Sequence, residues 1–392
     1  MRIPSIYAQM RNNLPNVSYF WYEPTYYQRI KLFCQEKVPA LHTYPRDWAQ
    51  KHVHLFSRGR GPHVRNNSPH RVGEADRELF NQAWRVARDH HGNEVTFYLP
   101  GMIRYGNLRG LYPAISLTGD RCELLCEHCK GLLLKPMIPV TTPEALVDKC
   151  ETLARSGRVG VLLSGGSDRE GRLPWEMFYN AISTIKYEIG LFISIHSGFL
   201  DRSTAKSLKE AGVDQALIDI MGDEETARDI YHLDGLRTVI NTLENLVSAG
   251  IAVVPHIVAG LMYGRMQGEY EALRTIARLR TASLVIVVLT PLKGTPMWGV
   301  SPPSPAEIGG LIASARLMMP RVPISLGCER PRTEEGQAME ELAIQAGVTR
   351  MAVWSRKTVD LAVSLGLRPR FQPTCCSVPY REDFSKRFPI SL

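Results

Sequence analysis

From about residue 113 onward, short apolar runs alternate with longer amphipathic stretches, and this alternation leaves few folds open. The runs are AISLTG (114–119), VGVLLSGG (159–166), LFISIHSG (191–198), QALIDIMG (215–222), AVVPHIVAGL (252–261), LVIVVLTP (284–291), VPISLGC (322–328) and TRMAVW (349–354). Helical patterns lie between them, among them PEALVDKCETLARSG, DRSTAKSLKEAGV, LRTVINTLENLVSAG and PAEIGGLIASARLMM. Several end in a glycine just before the next strand, as in SAG–IAVV, which suits a helix C-cap turning back into a sheet. Eight such units between residues 114 and 354 match the length of a (β/α)8 TIM-type barrel, about 250 residues. The fold class is therefore α/β, with a doubly wound open sheet as the runner-up. The number eight and the polar or Gly-rich residues that follow most strands favour the barrel, whose chemistry is sited at the C-terminal ends of the strands. Residues 1–110 read as an N-terminal extension, 111–356 as the barrel and 357–392 as a C-terminal tail. Extension and tail are expected to fold over the barrel mouth. The extension is rich in Pro, Asn, His and aromatics, with one helix in GEADRELFNQAWRVARDHHG.

Of the 392 residues, 44% are hydrophobic and 22% charged, an ordinary globular balance. No run reaches the roughly 18 apolar residues of a membrane span. The start, MRIPSIYAQMRNNLPNV, lacks an apolar h-region, so a cytoplasmic protein is expected. Lys and Arg exceed Asp and Glu by 8. Much of the excess lies early, in RDWAQKHVHLFSRGRGPHVRNNSPHR. A basic surface favours an acidic partner. A solvated basic face explains it equally well, and no nucleic-acid motif accompanies the charge.

Three of the eight cysteines crowd into GDRCELLCEHCKG, directly after the first strand, as Cys122, Cys126 and Cys129. In a reducing compartment such clustering reads as metal ligation rather than disulfides. Thiolates are the usual ligands of iron–sulfur clusters. A Cys-x3-Cys-x2-Cys loop can give one thiolate to each of three irons of a [4Fe–4S] cluster and leave the fourth iron open. The competing reading is structural zinc, which prefers four ligands in two paired motifs. Here the fourth would have to be His128, which abuts Cys129 in the same tight loop.

Spacing and placement together resemble the radical SAM superfamily. The resemblance implies that S-adenosylmethionine (SAM) chelates the open iron, and that an electron from the cluster releases a 5′-deoxyadenosyl radical, the hard chemistry lying in the cofactor. It also implies a low-potential electron donor of ferredoxin or flavodoxin type. Members commonly carry Gly-Gly-Glu after the second strand to hold the SAM methionine; this chain has Gly165, Gly166 and Ser167, so the glutamate is missing. His196 ends strand three and Asp219 strand four. In PHIVAGLMYGRMQGE, Gly260, Gly264 and Glu269 loosely match a superfamily stretch beside the adenosine. Gly165, Gly166, Ser167, His196, Asp219, Gly260 and Gly264 are the candidate cofactor-binding set. His196, Asp219 and His256 read equally well as hydrogen-bonded structural groups.

Cys328 ends strand seven in SLGCERPR, Cys375 and Cys376 lie in PTCCSVP, Cys34 lies in the extension, and Cys150 sits in a helix as a small hydrophobe. Cys328, Cys375, Cys376 and Cys34 are candidate ligands of a second, auxiliary iron–sulfur cluster; adjacent cysteines do not easily serve two corners of one cubane. Free buried thiols are the plainer alternative. The PHIVAGL, GTPM, LGCERPR and CCSVP segments resemble the biotin-synthase-like branch, and within it one subunit of the two-protein lipoyl synthases. That resemblance implies sulfur insertion into a C–H bond of an octanoyl chain on a carrier-protein lysine. It also implies a second radical SAM subunit and an acidic lipoyl carrier protein as partners. The Cys-x4-Cys-x5-Cys and Arg-Ser-Ser-Tyr motifs of single-chain lipoyl synthases are absent. The alternatives are a single-cluster mutase, methylase or cofactor-biosynthesis enzyme, and, from another class, a zinc-stabilised nucleic-acid-binding module.

Overall fold

All eight runs form strands in the computed structural model, which describes residues 74–388. The strands are β1 (Glu94–Tyr98), β2 (Arg104–Tyr105), β3 (Leu108–Arg109), β4 (Ala114–Ser116), β5 (Ile138–Pro139), β6 (Gly160–Ser164), β7 (Phe192–His196), β8 (Gln215–Asp219), β9 (Ala252–Ala259), β10 (Leu284–Val288), β11 (Ile324–Leu326), β12 (Arg350–Ala352) and β13 (Arg368–Gln372). The hairpin β2–β3 stands apart. The other eleven make one sheet in the order β13-β1-β12-β11-β10-β9-β8-β7-β6-β4-β5, with every pair parallel. The eight expected strands are thus neighbours in sequence order, as in a TIM-type barrel. The sheet curls into a half-barrel, and among the described residues its edge strands β5 and β13 do not pair with each other.

The helices of nine residues or more are α1 (Glu74–His91), α2 (Pro143–Arg155), α3 (Arg202–Glu210), α4 (Arg237–Ser248), α5 (Glu269–Ala277), α6 (Pro305–Met318), α7 (Glu334–Gln345) and α8 (Arg356–Ser364). Their starts are encoded locally. Thr142, Asp201, Thr333 and Ser355 accept the N-cap hydrogen bond, and Ser304 and Glu307 form a capping box, each such cap contributing about 1 kcal/mol.

Alternation along each strand builds two cores. One parity faces the helices: Ile193, Ile195, Ala216, Ile218, Val253 and Ile257 belong to the large core that includes Leu243, Leu273 and Leu311. The other parity faces the lumen, where Leu217, Val254, Val285 and Val287 pack with Tyr98 and Ala352. Burial of each such aliphatic side chain contributes about 1.5–3 kcal/mol.

The expected boundaries at 110 and 356 run through this sheet, because β1 precedes the first and β13 follows the second. Short polar-flanked strands such as EVTFY carry too little periodicity to be read alone. The tail also differs from expectation. Instead of lying over the mouth, residues 373–380 enter the lumen beside the N-terminal ends of the strands. The reason is polar: Gln215, the first residue of β8, donates to Ser194 Oγ (2.8 Å) and Ser377 Oγ (2.9 Å). Arg350, the first of β12, donates to the carbonyls of Cys376 and Ser377 (3.3 and 3.4 Å). Leu111 N–H donates to Pro373 O (2.7 Å), tying the approach to β4 to the end of β13.

Candidate active site

The loop after β4 carries Cys122, Cys126 and Cys129, at the rim expected for barrel chemistry. Its backbone folds back on itself. Leu125 (φ 47°) and Lys130 (φ 44°) adopt the left-handed conformation, which side chains other than glycine rarely take and which concentrates at functional sites. The segment after residue 229 braces the loop. Glu127 N–H donates to Ile230 O (2.9 Å), His232 Nε2 meets Glu127 Oε1 at 3.0 Å, and the Tyr231 ring packs 5.3 Å from His128. The sulfurs lie close: a hydrogen bond from Cys126, then contacts with His128 and the Gly131 N–H, outweigh burial and hold the Cys129 thiol down to about 4. Cys126 is pushed up, by that same hydrogen bond first and by burial.

Gly165 and Gly166 follow β6 and lie against this loop. A Cβ on Gly166 would come 2.0 Å from Arg121 O and 2.5 Å from Cys122 Cβ, so only glycine fits. Gly166 N–H donates to Thr118 Oγ1 (2.7 Å), and Ser167 O accepts from Glu123 N–H (2.7 Å). These groups therefore serve to hold the cysteine loop. A cleft of about 670 Å³ opens beside them, lined by Cys122, Gly166, Ser167 and Asp168 together with Asn241 and Asn245 of α4.

His196, Asp219 and His256 share the lumen-facing parity, and Asp219 stands level with His256 across β8 and β9. His196 Nε2 lies 3.4 Å from Asp219 Oδ1, while Tyr231 OH donates to Asp219 Oδ2 (3.1 Å). Burial disfavours the Asp219 carboxylate, yet His196 holds it below the usual carboxylate range. Burial likewise opposes the His196 imidazolium, and Asp219 raises it nonetheless. His256 is lowered to about 4, by burial above all. Tyr231 therefore links the two regions, its ring packing on His128 of the cysteine loop and its hydroxyl bonding Asp219 in the lumen. Nothing in the sequence signals Tyr231, which lies outside any strand and is joined to Asp219 only by the fold.

Gly260 (φ 84°) and Gly264 (φ 83°) shape the turn after β9. The buried Glu269 carboxylate accepts from the N–H groups of Gly260 and Gln267, each at 2.7 Å. The three residues are brought together, but as one self-contained turn away from the cleft.

Two of the late cysteines, Cys328 and Cys376, pack together in the lumen. Cys328 follows β11 on a loop clamped by the fully buried Arg330, which donates to Gly327 O and Ala352 O and pairs with Glu340 at 2.7 Å. Cys376 is 2% exposed and packs among Tyr98, Leu217, Val254, Val285 and Val287, with Cys328 against the same group. Cys375 packs on the far side with Leu162 and Phe192. Hydrogen bonds from Cys376 and Ser377 overcome burial and lower the Cys375 thiol to about 6; burial, then the Cys375 charge, lifts Cys328 to about 12. Cys150 is buried in α2, as expected. Cys34 and the basic stretch of the extension lie outside the described residues.

Residues 116–279 match the family model of the Radical SAM superfamily. A biotin synthase of Ruthia magnifica subsp. Calyptogena magnifica is 31% identical over 164 residues, covering 41% of this chain and about half (49%) of the relative. One from Pelotomaculum thermopropionicum is 26% identical over 293 residues, covering 72% and 84%. In structure, methylornithine synthase (PylB) superposes with a TM-score of 0.55 at 19% identity, covering 76% of this chain and 90% of that one. The hydrogenase maturase HydG of Carboxydothermus hydrogenoformans gives 0.56 at 18%, covering 80% and 76%. These last two establish the fold alone. The match to the radical SAM superfamily spans residues 116–279, and members of that superfamily use a [4Fe–4S] cluster and SAM. The relatives that this chain matches include biotin synthases.

The site fits those cofactors. Three thiols share one rim loop, one of them already favoured as thiolate, and a glycine lets the next loop touch Cys122. Among the described residues no three His, Cys, Asp or Glu side chains converge on the position of a single ion. A cluster instead spreads its thiolates over separate irons.

Proposed function

We propose that this protein inserts sulfur into an unactivated C–H bond, with Cys122, Cys126 and Cys129 holding the SAM-binding cluster and the late cysteines holding a second one. Bound together, the first cluster and SAM supply a 5′-deoxyadenosyl radical. The observation that carries the reading is the packing of Cys328 and Cys376 together in an apolar lumen, with Cys375 next to Cys376 in the chain. Similarity to biotin synthases supports the same chemistry.

The chain's own residues divide the work. The brace at 230–232 and Gly166 fix the cysteine loop. Gly165, Gly166, Ser167, His196, Asp219, Gly260 and Gly264 are the candidate contacts to SAM, with Gly166 and Ser167 in the cleft, His196 and Asp219 at the lumen rim, and Gly260 and Gly264 in the turn outside the cleft. The aliphatic walls exclude water from the reacting bond. The substrate we propose is an octanoyl chain on a lysine of an acidic carrier protein, which the net charge of +8 would attract. A second radical SAM subunit and a ferredoxin or flavodoxin complete the system, in a reducing cytoplasm. Among the described residues no helix is long and apolar enough to cross a membrane.

The test is anaerobic turnover of the reconstituted protein with reductant, SAM and an octanoyl-lysyl carrier domain, with and without the second subunit. Mass spectrometry should find sulfur on the octanoyl chain and 5′-deoxyadenosine in step with it. Deoxyadenosine with a rearranged or methylated product would overturn sulfur insertion.

A further inference from the structure

We propose that the loops after β4, β9 and β10 form the docking surface for the acidic protein that carries the substrate, seated over the barrel mouth with Trp298 as its anchor. The proposal deepens the reading above, on which it rests for the identity of the carrier.

Large apolar side chains clustered in water mark a surface that something covers. Among the described residues, four exposed ones sit on these three loops: Leu125 and Leu133 after β4, Tyr263 after β9, and Trp298, 61% exposed, after β10. The loops are continuous with one another. A Cβ on Gly131 would lie 4.0 Å from Leu125 Cδ2, and one on Gly294 would lie 3.9 Å from Leu132 Cδ1. The next turn is closed by Trp298 N–H, which donates to Thr295 O (3.0 Å). Beyond it, Gly264 lies so close that a Cβ there would come 2.0 Å from Ser301 O, which brings its neighbour Tyr263 alongside.

The sheet order says what this surface covers. β9, β8, β7 and β6 separate β10 from β4, so the loops after β4 and β10 meet by reaching across the mouth. A protein that passes an electron to the cysteine loop needs to touch one side of the opening. A protein that touches Leu125 and Trp298 together lies over the opening, where a side chain that it carries can enter the lumen. The geometry therefore selects the substrate-bearing protein over the electron donor.

Charge selects an acidic one. Segments 121–135, 260–268 and 289–303 hold Arg121, Lys130, Lys135, Arg265 and Lys293 against Glu123 and Glu127. Glu127 is already engaged by Lys130 and His232, while Lys135, Arg265 and Lys293 are exposed. Apolar contacts set among charged ones are the anatomy of a protein interface, and tryptophan is a common hot spot within it. The cations speed the encounter with an acidic partner.

The experiment compares binding and turnover by the full reconstituted enzyme with two substrates: the octanoyl-lysyl carrier domain, and a short octanoyl-lysyl peptide too small to dock. Trp298→Ala should weaken carrier binding and raise the KM for the carrier about tenfold or more, with kcat and peptide turnover unchanged. Lys135→Glu combined with Lys293→Glu should slow association several-fold and flatten its dependence on salt. SAM cleavage driven by dithionite and the melting temperature should match wild type, because the three side chains are exposed. Unchanged carrier binding in Trp298→Ala overturns the proposal, as does a wild type that does not bind the carrier. A loss confined to reduction by ferredoxin or flavodoxin also overturns it, giving the surface to the electron donor. A wild type that binds the carrier without adding sulfur, with binding lost in the variants, overturns sulfur insertion and leaves the docking surface standing. Sulfur added to the peptide, with carrier binding unchanged in the variants, does the reverse.

Discussion

The rim loop draws its three thiols from one short stretch after β4, whereas the lumen draws Cys328 from the end of β11 and Cys375 from the far side of β13. The first group is encoded locally, and its geometry is set by left-handed residues and by a brace from residues 230–232. The second exists only once the sheet has curled and the tail has entered it, held by Gln215, Ser325 and Arg350. A loop site therefore fails when its own backbone is disturbed. A lumen site fails when distant anchors give way.

The comparison can be broken at several points. Cys126→Ala should reduce 5′-deoxyadenosine formation to the background of cluster-free protein, with iron in the lumen retained. Loss of iron from both sites would mean that the two sites are not independent. Cys328→Ala should leave SAM cleavage intact while sulfur transfer stops, and full product formation would end the late-thiol account. Gly166→Ala drives a Cβ into Arg121 O and Cys122 and should destabilise the protein by about 1–3 kcal/mol, with iron lost from the rim site first. Unchanged melting and iron content would show that the two loops are not interlocked.

Two smaller effects sharpen it. Gln215→Leu removes both donors to Ser194 and Ser377 and should cost about 1–3 kcal/mol. Cys375 should then alkylate faster while deoxyadenosine formation is unchanged; slower or equal alkylation would deny Gln215 its anchoring role. His196→Gln gives the smallest effect. Asp219 raises His196 in the folded state, so the pair stabilises the protein at acidic pH and loses that contribution as pH rises through the raised value. With the His196 side chain 35% exposed, the melting gap between wild type and variant should amount to less than about 1 kcal/mol. It should be larger near about pH 5.5 than near about pH 8.5. A gap that grows with pH would contradict the ion pair.

Much of this was legible in the sequence, for physical reasons. The eight strands of the sheet centre keep an apolar helix-facing parity, and β10 is apolar on its lumen side as well, so they stand out as short apolar runs. Cys122, Cys126 and Cys129 are legible because a cluster loop needs close spacing. β1 and β13 lie among polar residues and gain their burial from each other, from β12 and from α8. The route of the tail could not be read, since it depends on Gln215 and Arg350 facing inward at the start of their strands. Tyr231 and Arg330 act through contacts made across the fold, and no local pattern marks them. Gly260, Gly264 and Glu269 were legible as a motif, and the structure adds the reason they group: a buried carboxylate holding two backbone amides.

The most direct test of the account is the low-temperature electron paramagnetic resonance spectrum of the anaerobically reconstituted, reduced protein with and without SAM, beside the Cys122/Cys126/Cys129 triple Ala variant. The account predicts a cluster signal whose shape changes when SAM is added, and the loss of that SAM-sensitive signal in the variant. A wild-type signal indifferent to SAM, or a SAM-sensitive signal that survives in the variant, would contradict it.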